Sequence, residues 1–102
     1  MTVVLENVRR LENYLEWRGG YADNVMDLTI HKMLQRERVQ MEVQLGRLQQ
    51  QLAAFESQYG WSTPDFYERF ERGELGDDTD YIEWSATWEM VQQLQQGLRL
   101  LS

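Results

Sequence analysis

The feature that most constrains the fold is an unbroken run of helix-forming sequence from Asn24 to Tyr59. The run contains no proline and one glycine, Gly46, and it is rich in leucine, methionine, glutamine, glutamate and arginine, which are strong helix formers. A continuous helix of this length would extend roughly 50 Å. Because a compact domain of about 100 residues has a radius of gyration near 13 Å, we expect the helix to outreach its own domain and to need a partner.

The second half of this run has an apolar seam with coiled-coil spacing. Its members follow one another at intervals of four, three, four, three and four residues: Met41, Leu45, Leu48, Leu52, Phe55 and Tyr59. Heptad spacing keeps one face of a helix against a neighbour. Upstream, His31 and Arg38 interrupt the seam, and apolar residues there cover more than one face. The pattern predicts that the first half packs against several helices, that the second half receives another helix, and that the long helix mediates a homodimer.

Three shorter helices are predicted around the long one, which gives helices at about 3–18, 23–59, 64–72 and 80–101. Thr63 before Pro64 is typical of a helix N-cap, and Asp80 with Glu83 resembles a capping box. Glycines follow the first three helices, at Gly19-Gly20, Gly60 and Gly73, where they favour helix termination. We therefore expect one all-α domain over residues 1–102: a long central helix with an antiparallel helical hairpin, coiled-coil-like and dimeric.

The charge of the chain is concentrated in its second part. Residues 1–60 hold seven Lys and Arg against eight Asp and Glu, a net charge of −1, whereas residues 61–102 hold three Arg against nine Asp and Glu, a net charge of −6. An acidic region repels a phosphate backbone, so independent nucleic-acid binding is not expected. The same charge suits a basic protein partner.

Composition and the first residues bear on location and chemistry. The chain has no cysteine, so disulfides and cysteine-based zinc sites are excluded. Met1–Val8 has no basic segment and its apolar run is broken at Glu6, unlike a signal peptide or a membrane span. We expect a cytoplasmic protein that does not bind membranes.

Acidic residues at a spacing of three raise the alternative of a magnesium-dependent hydrolase of the all-α type. Such enzymes pair two E-x-x-E or E-x-x-D helices, whose carboxylate oxygens suit that ion. Glu68 and Glu71 match one motif, but Ala86 stands three residues after Glu83, so the second is incomplete. His31 is the only histidine and has no cysteine or second histidine with which to share a metal. We expect no catalytic residue, no metal and no cofactor.

The segment after the long helix has a distinctive order of residues: Tyr59, Gly60, Ser62, Phe66, Phe70, then Gly73-Glu74-Leu75-Gly76-Asp77-Asp78, then Asp80, Glu83 and Trp84. With the long helix before it, this segment resembles small helical antitoxin-like proteins of prokaryotic type II toxin–antitoxin pairs, the neighbours of TumE-like toxins. The resemblance covers roughly Leu34 to Leu101.

The resemblance implies a non-enzymatic protein that binds and neutralises a small, basic, toxin-like partner by covering its RNA-handling surface. Aromatic side chains would then set the lifetime of the complex, namely Phe66, Phe70, Trp84 and Trp88. Acidic side chains would speed and select the encounter, namely Asp77, Asp78 and Asp80. The rival interpretation is a homodimeric structural coiled coil, in which the same segment is only the corner between two helices.

Overall fold

The computed structural model describes residues 2–19 and 23–101, which form four α-helices. They are α1 (Thr2–Trp17), α2 (Asn24–Tyr59), α3 (Thr63–Glu71) and α4 (Thr79–Leu101). The described ranges contain no strand, so the all-α prediction is confirmed, and each helix end lies within one residue of its predicted position. Gly20, predicted to help end the first helix, lies outside the described residues. No helix within these ranges is long and apolar enough to cross a membrane.

The chain divides into two compact units, residues 1–34 and residues 35–102, where the sequence predicts one domain. We call them the N-terminal unit and the C-terminal unit. The boundary falls within α2, so each unit contains part of the long helix.

In the C-terminal unit, α4 runs antiparallel to the second half of α2. At one end, the ring of Tyr59 lies 5.4 Å from that of Tyr81, near the start of α4. At the other end, the guanidinium of Arg38 donates a hydrogen bond to the carbonyl oxygen of Leu101, the last residue of α4. The predicted antiparallel hairpin is confirmed.

The apolar seam of α2 faces α4 of the same chain. Two of its members are buried and four are half-buried: Leu48 and Leu52, then Met41, Leu45, Phe55 and Tyr59. Near the far end of the hairpin, a Cβ placed on Gly97 would lie 2.5 Å from the terminal methyl of Met41, so the two helices approach closely there. Since α4 covers the seam, it serves packing within one chain, and the homodimer predicted along it would need another surface.

A small aromatic and aliphatic core holds this unit together. The rings of Phe66 and Trp84 stack at 3.9 Å with an angle of 3° between their planes. Around them lie the other buried apolar residues, Leu48, Leu52 and Val91. Complete burial of one such side chain contributes about 1.5–3 kcal/mol, so this cluster fixes how α2, α3 and α4 pack.

The start of α3 differs by one residue from its prediction. Ser62, with extended backbone angles, is the N-cap: its hydroxyl accepts a hydrogen bond from the Asp65 N–H at 3.3 Å, and Pro64 lies in the first turn. Thr63 is instead helical and buried, and its hydroxyl oxygen accepts from Trp84 Nε1 at 3.0 Å. The sequence predicts Thr63 as the cap because it stands directly before Pro64. The hydrogen bond that engages its hydroxyl comes from a residue 21 positions away, which local spacing does not reveal.

The N-terminal unit has no comparable core. None of its residues whose side chains the structure describes is buried, and only four are half-buried: Leu11, Leu15, Met26 and Ile30. The apolar residues predicted to pack the first half of α2 against several helices are mostly exposed, among them Val25, Leu28, Met33 and Leu34. Within this unit, the predicted multi-helix packing surface is therefore an uncovered surface.

Candidate functional site

Two of the predicted partner contacts lie in the core. Phe66 and Trp84 are 0% exposed, and a side chain without accessible surface cannot contact a partner. This corrects their assignment as aromatic anchors. The resemblance to antitoxin-like proteins implied a partner-binding role for both, but α3 folds over Trp84 and stacks the Phe66 ring on it. Their role is to hold α3 against α4.

The other two predicted aromatic contacts lie at the edge of this core. Phe70 and Trp88 are half-buried and pack against the core cluster. The ring of Phe70 stacks 5.6 Å from that of Phe66. Each therefore combines a fixed position with some accessible surface, which suits a protein contact.

Asp80, predicted to attract a partner, is used within the fold. It is half-buried and its carboxylate accepts a hydrogen bond from the Tyr59 hydroxyl, so it joins α4 to the end of α2. That hydrogen bond raises the pKa of Tyr59 to about 12. A second bond of this kind runs from the Tyr67 hydroxyl to Glu89 at 2.9 Å, joining α3 to α4, and it raises the pKa of Tyr67 to about 12.

Other acids around the start of α4 are exposed. Asp78 Oδ1 accepts from the Asp80 N–H at 2.9 Å, so Asp78 caps the helix, and the predicted capping box of Asp80 and Glu83 is corrected. The reason is that the Asp80 carboxylate is bonded to Tyr59. Asp77, Asp78 and Glu83 are exposed and present negative charge at this end of the helix.

A groove runs between α2 and α4, on a face that sequence analysis did not identify. Its cavity volume is about 490 Å³. The lining residues have the same i, i+3, i+4, i+7 spacing on both helices: Gln51, Ala54, Phe55 and Gln58 on α2, and Glu83, Ala86, Thr87 and Met90 on α4. The repeated spacing was visible in the sequence, but only the antiparallel register brings the two sets together. An alanine on each helix leaves room for an additional side chain or helix.

The charge around this groove is largely unneutralised. Among the residues the structure describes, the one ion pair joins Arg72 to Glu68, one turn apart on α3. The Arg69 guanidinium lies 5.6 Å from the ring centroid of Trp61, where a cation–π contact forms. With nine acidic residues against three arginines over residues 61–102, the surface keeps a negative potential.

The remaining candidate residues are the acidic side chains of a possible metal site and His31, the only histidine in the sequence. Within residues 2–19 and 23–101, no three histidine, aspartate or glutamate side chains form a group that could hold a metal ion. His31 is exposed on α2 in the N-terminal unit. Comparison of the chain with protein-family models, curated proteins and solved structures gives no match.

Proposed function

We propose that the chain is a non-enzymatic protein-binding module, antitoxin-like in action, whose C-terminal unit holds an apolar helix of a small basic partner. The observation that supports this proposal best is the groove between α2 and α4, which has a floor of small and apolar side chains and an acidic end. Recognition of a helix in an apolar groove is a common mode of protein binding.

The floor of the groove suits a third helix. Ala54 and Ala86 lie on facing helices, and small residues permit the interaxial distances of about 8–10 Å at which helices pack. Phe55 is half-buried and rigidly placed by its stacking on Trp84 at 5.4 Å. Met90 is exposed, and its flexible thioether side chain can adapt to the shape of the partner.

The rim of the groove sets the kind of partner. Gln51 and Gln58 lie on the α2 side and can exchange hydrogen bonds, while Glu83 lies on the α4 side. A lysine or arginine next to the apolar anchor of the partner would pair with Glu83. The wider negative surface would speed the encounter with a basic protein and disfavour an acidic one.

The resemblance to antitoxin-like proteins suggests what such binding achieves. A small toxin that handles RNA needs a basic surface, and an acidic helical unit seated on that surface would exclude the RNA. Neutralisation then requires no catalytic group in this chain. It requires only a long-lived complex, for which the half-buried Phe70 and Trp88 offer additional aromatic surface at the edge of the core.

Two neighbouring alanines make a matched test of this proposal. Ala54 lines the groove, whereas Ala53 is exposed and does not line it. The tagged full chain is used to capture a small basic protein from its own cells, and the purified protein is then titrated against each variant by calorimetry. We expect Ala54→Arg to weaken binding on the order of 100-fold, because a bulky charge fills the groove, and Ala53→Arg to leave it unchanged.

A third variant separates charge from shape. Glu83→Lys should weaken the complex and reduce its dependence on salt, since it reverses the charge at the rim. The proposal fails if no small basic protein binds, or if the Ala54→Arg and Ala53→Arg variants bind it equally well. A reading frame for a short basic protein beside the gene would supply the protein for the titration directly.

A further inference from the structure

The N-terminal unit leaves a large apolar surface uncovered. Among the side chains that the structure describes, ten large apolar ones are exposed in this unit, against five in the C-terminal unit, which is twice as long. Monomeric soluble proteins rarely expose contiguous apolar patches larger than about 300–600 Å². Those exposed residues that share one helix face therefore form a candidate binding face in this unit.

The exposed residues of α1 continue a partly covered stripe. The stripe comprises Val4, Val8, Leu11 and Leu15, at the four–three–four spacing of one helix face. Leu11 and Leu15 are half-buried, but Val4 and Val8 are 64% and 54% exposed. The stripe is thus covered towards the connection between the helices and free towards the other end of α1.

The start of α2 shows the matching pattern. Its half-buried residues, Met26 and Ile30, lie about as far from the connection as Leu15 and Leu11 do on α1. Two helices that turn back on each other would cover these four positions together. Met33, one turn further along α2, is exposed again, so the free part of the surface includes both helices.

The size of the surface fits an interface between proteins. Four of the exposed side chains, Val4, Val8, Met33 and Leu34, share the helix faces of the half-buried residues, and together they keep on the order of 340 Å² accessible, taking roughly 150 Å² for a whole large apolar residue. A stable interface of standard size buries about 800 Å² on each partner. Two such faces together make an interface below this standard size, as in small and reversible complexes.

The charge of the unit favours a second copy of the chain as the occupant. Residues 1–34 hold four basic and five acidic residues, so two such units do not repel each other strongly. Outside its apolar stripe, α1 has both Arg9-Arg10 and Glu12 with Glu16. Charges of both signs allow a surface to be complementary to its own copy, whereas the acidic C-terminal unit offers mainly one sign.

We infer that the N-terminal unit is a homodimerisation module, in which α1 and the first turns of α2 from two chains form a four-helix bundle about a two-fold axis. The inference goes beyond the proposed function and does not depend on it. It also predicts stoichiometry, because each dimer would present two α2–α4 grooves and bind two partner molecules.

Sedimentation equilibrium of the full chain tests this inference with a matched pair of valines. Val8 lies on the proposed interface, and Val43 is 66% exposed on the part of α2 that belongs to the C-terminal unit. We expect the wild-type chain to be dimeric, and Val8→Glu to weaken the dimer on the order of 100-fold by burying an unpaired carboxylate. Val43→Glu should leave the dimer unchanged, and Val8→Leu should retain it.

Circular dichroism establishes whether each variant keeps the helix content of the wild-type chain, and Val4→Glu replaces Val8→Glu if that variant loses helix. A wild-type chain that stays monomeric at about 200 µM, far above the concentration at which micromolar dimers form, would overturn the inference. Equal weakening by Val43→Glu and Val8→Glu would overturn it as well.

Discussion

The two units of this chain contain the same kind of helix but cover its apolar face to different extents. Both contain amphipathic helices with apolar residues at three- and four-residue spacing, and both contain tryptophan on such a helix. In the C-terminal unit, Trp84 is 0% exposed and hydrogen-bonded to Thr63. In the N-terminal unit, Trp17 is 82% exposed, with Tyr14 as its ring neighbour at 6.1 Å.

The units differ in whether a third helix covers the other two. In the C-terminal unit, α3 folds over the α2–α4 hairpin and places Phe66 on Trp84 at 3.9 Å. In the described part of the N-terminal unit there are two helical segments, α1 and the start of α2, and they leave most of their apolar residues exposed. An amphipathic helix thus predicts an apolar face, but the number of helices within reach decides whether the same chain covers that face.

The largest difference in stability between the units is expected when the same substitution, tryptophan to alanine, is made in both. We expect Trp84→Ala to destabilise the C-terminal unit by about 4 kcal/mol, since it leaves a cavity and removes the hydrogen bond to Thr63. Trp17→Ala should change stability by less than about 0.5 kcal/mol for the monomer, because exposed side chains contribute little. Urea unfolding followed by near-ultraviolet dichroism, which reports the packed aromatic rings, measures both values.

This pair of variants also checks the boundary between the units. A cost of several kcal/mol for Trp17→Ala in monomeric protein would mean that the N-terminal unit has a core of its own, and the contrast would fail. Trp88→Ala serves as an intermediate control, because Trp88 is half-buried at the edge of the same core.

A second prediction uses the tyrosines that join the helices of the C-terminal unit. The pKa values of Tyr59 and Tyr67 are raised from 10.0 to about 12 by hydrogen bonds to Asp80 and Glu89. Between pH 10 and pH 12 the unfolded chain has released these protons while the folded chain still holds them. The free energy of unfolding should therefore be unaffected by these groups below pH 10 and fall as the pH rises from 10 to 12.

Urea midpoints measured across this pH window test the prediction. The double variant with Asp80→Asn and Glu89→Gln removes both charged acceptors and should lose most of the decline, with smaller changes below pH 10. Absorbance of the phenolate should show two tyrosines of the wild-type chain ionising late. An equally steep decline in the double variant would show that other groups cause it.

Much of the fold follows from local sequence, and the sequence-based errors have one physical cause. Helix ends were predictable to one residue because caps and glycines act within a few positions, as at Gly60, where φ is 73°. The hydrogen bonds from Trp84 to Thr63 and from Tyr59 to Asp80 each join residues that are 21 positions apart. Spacing cannot reveal such contacts, so the cap positions and two supposed partner contacts were misassigned.

The groove escaped prediction for a related reason. Its two sets of residues were present as regular stripes, but alanines such as Ala54 and Ala86 have little hydrophobic signal and were passed over. They become a site only when the register of the hairpin sets one stripe beside the other. The uncovered surface of the N-terminal unit was anticipated only in part, as an apolar region that must meet several helices.

The smallest effect is expected from a pair of helical glycines, which tests how far the close packing of the C-terminal unit extends. Gly46 on α2 has open space around it, whereas a Cβ on Gly97 would lie 2.5 Å from the terminal methyl of Met41. Gly46→Ala should stabilise the chain by about 0.5–1 kcal/mol through helix propensity alone. Gly97→Ala should give a smaller gain, because the Met41 side chain must rotate away.

Met41 makes the difference between these glycines testable. In a Met41→Ala background the obstructing methyl is absent, so Gly97→Ala should recover the gain that Gly46→Ala shows in the wild-type chain. A double-mutant cycle from urea unfolding gives the coupling between positions 41 and 97. If that coupling is zero, the hairpin is open at this end, and the C-terminal unit is closely packed only around Trp84, so that the contrast between the two units depends on the α3 corner alone.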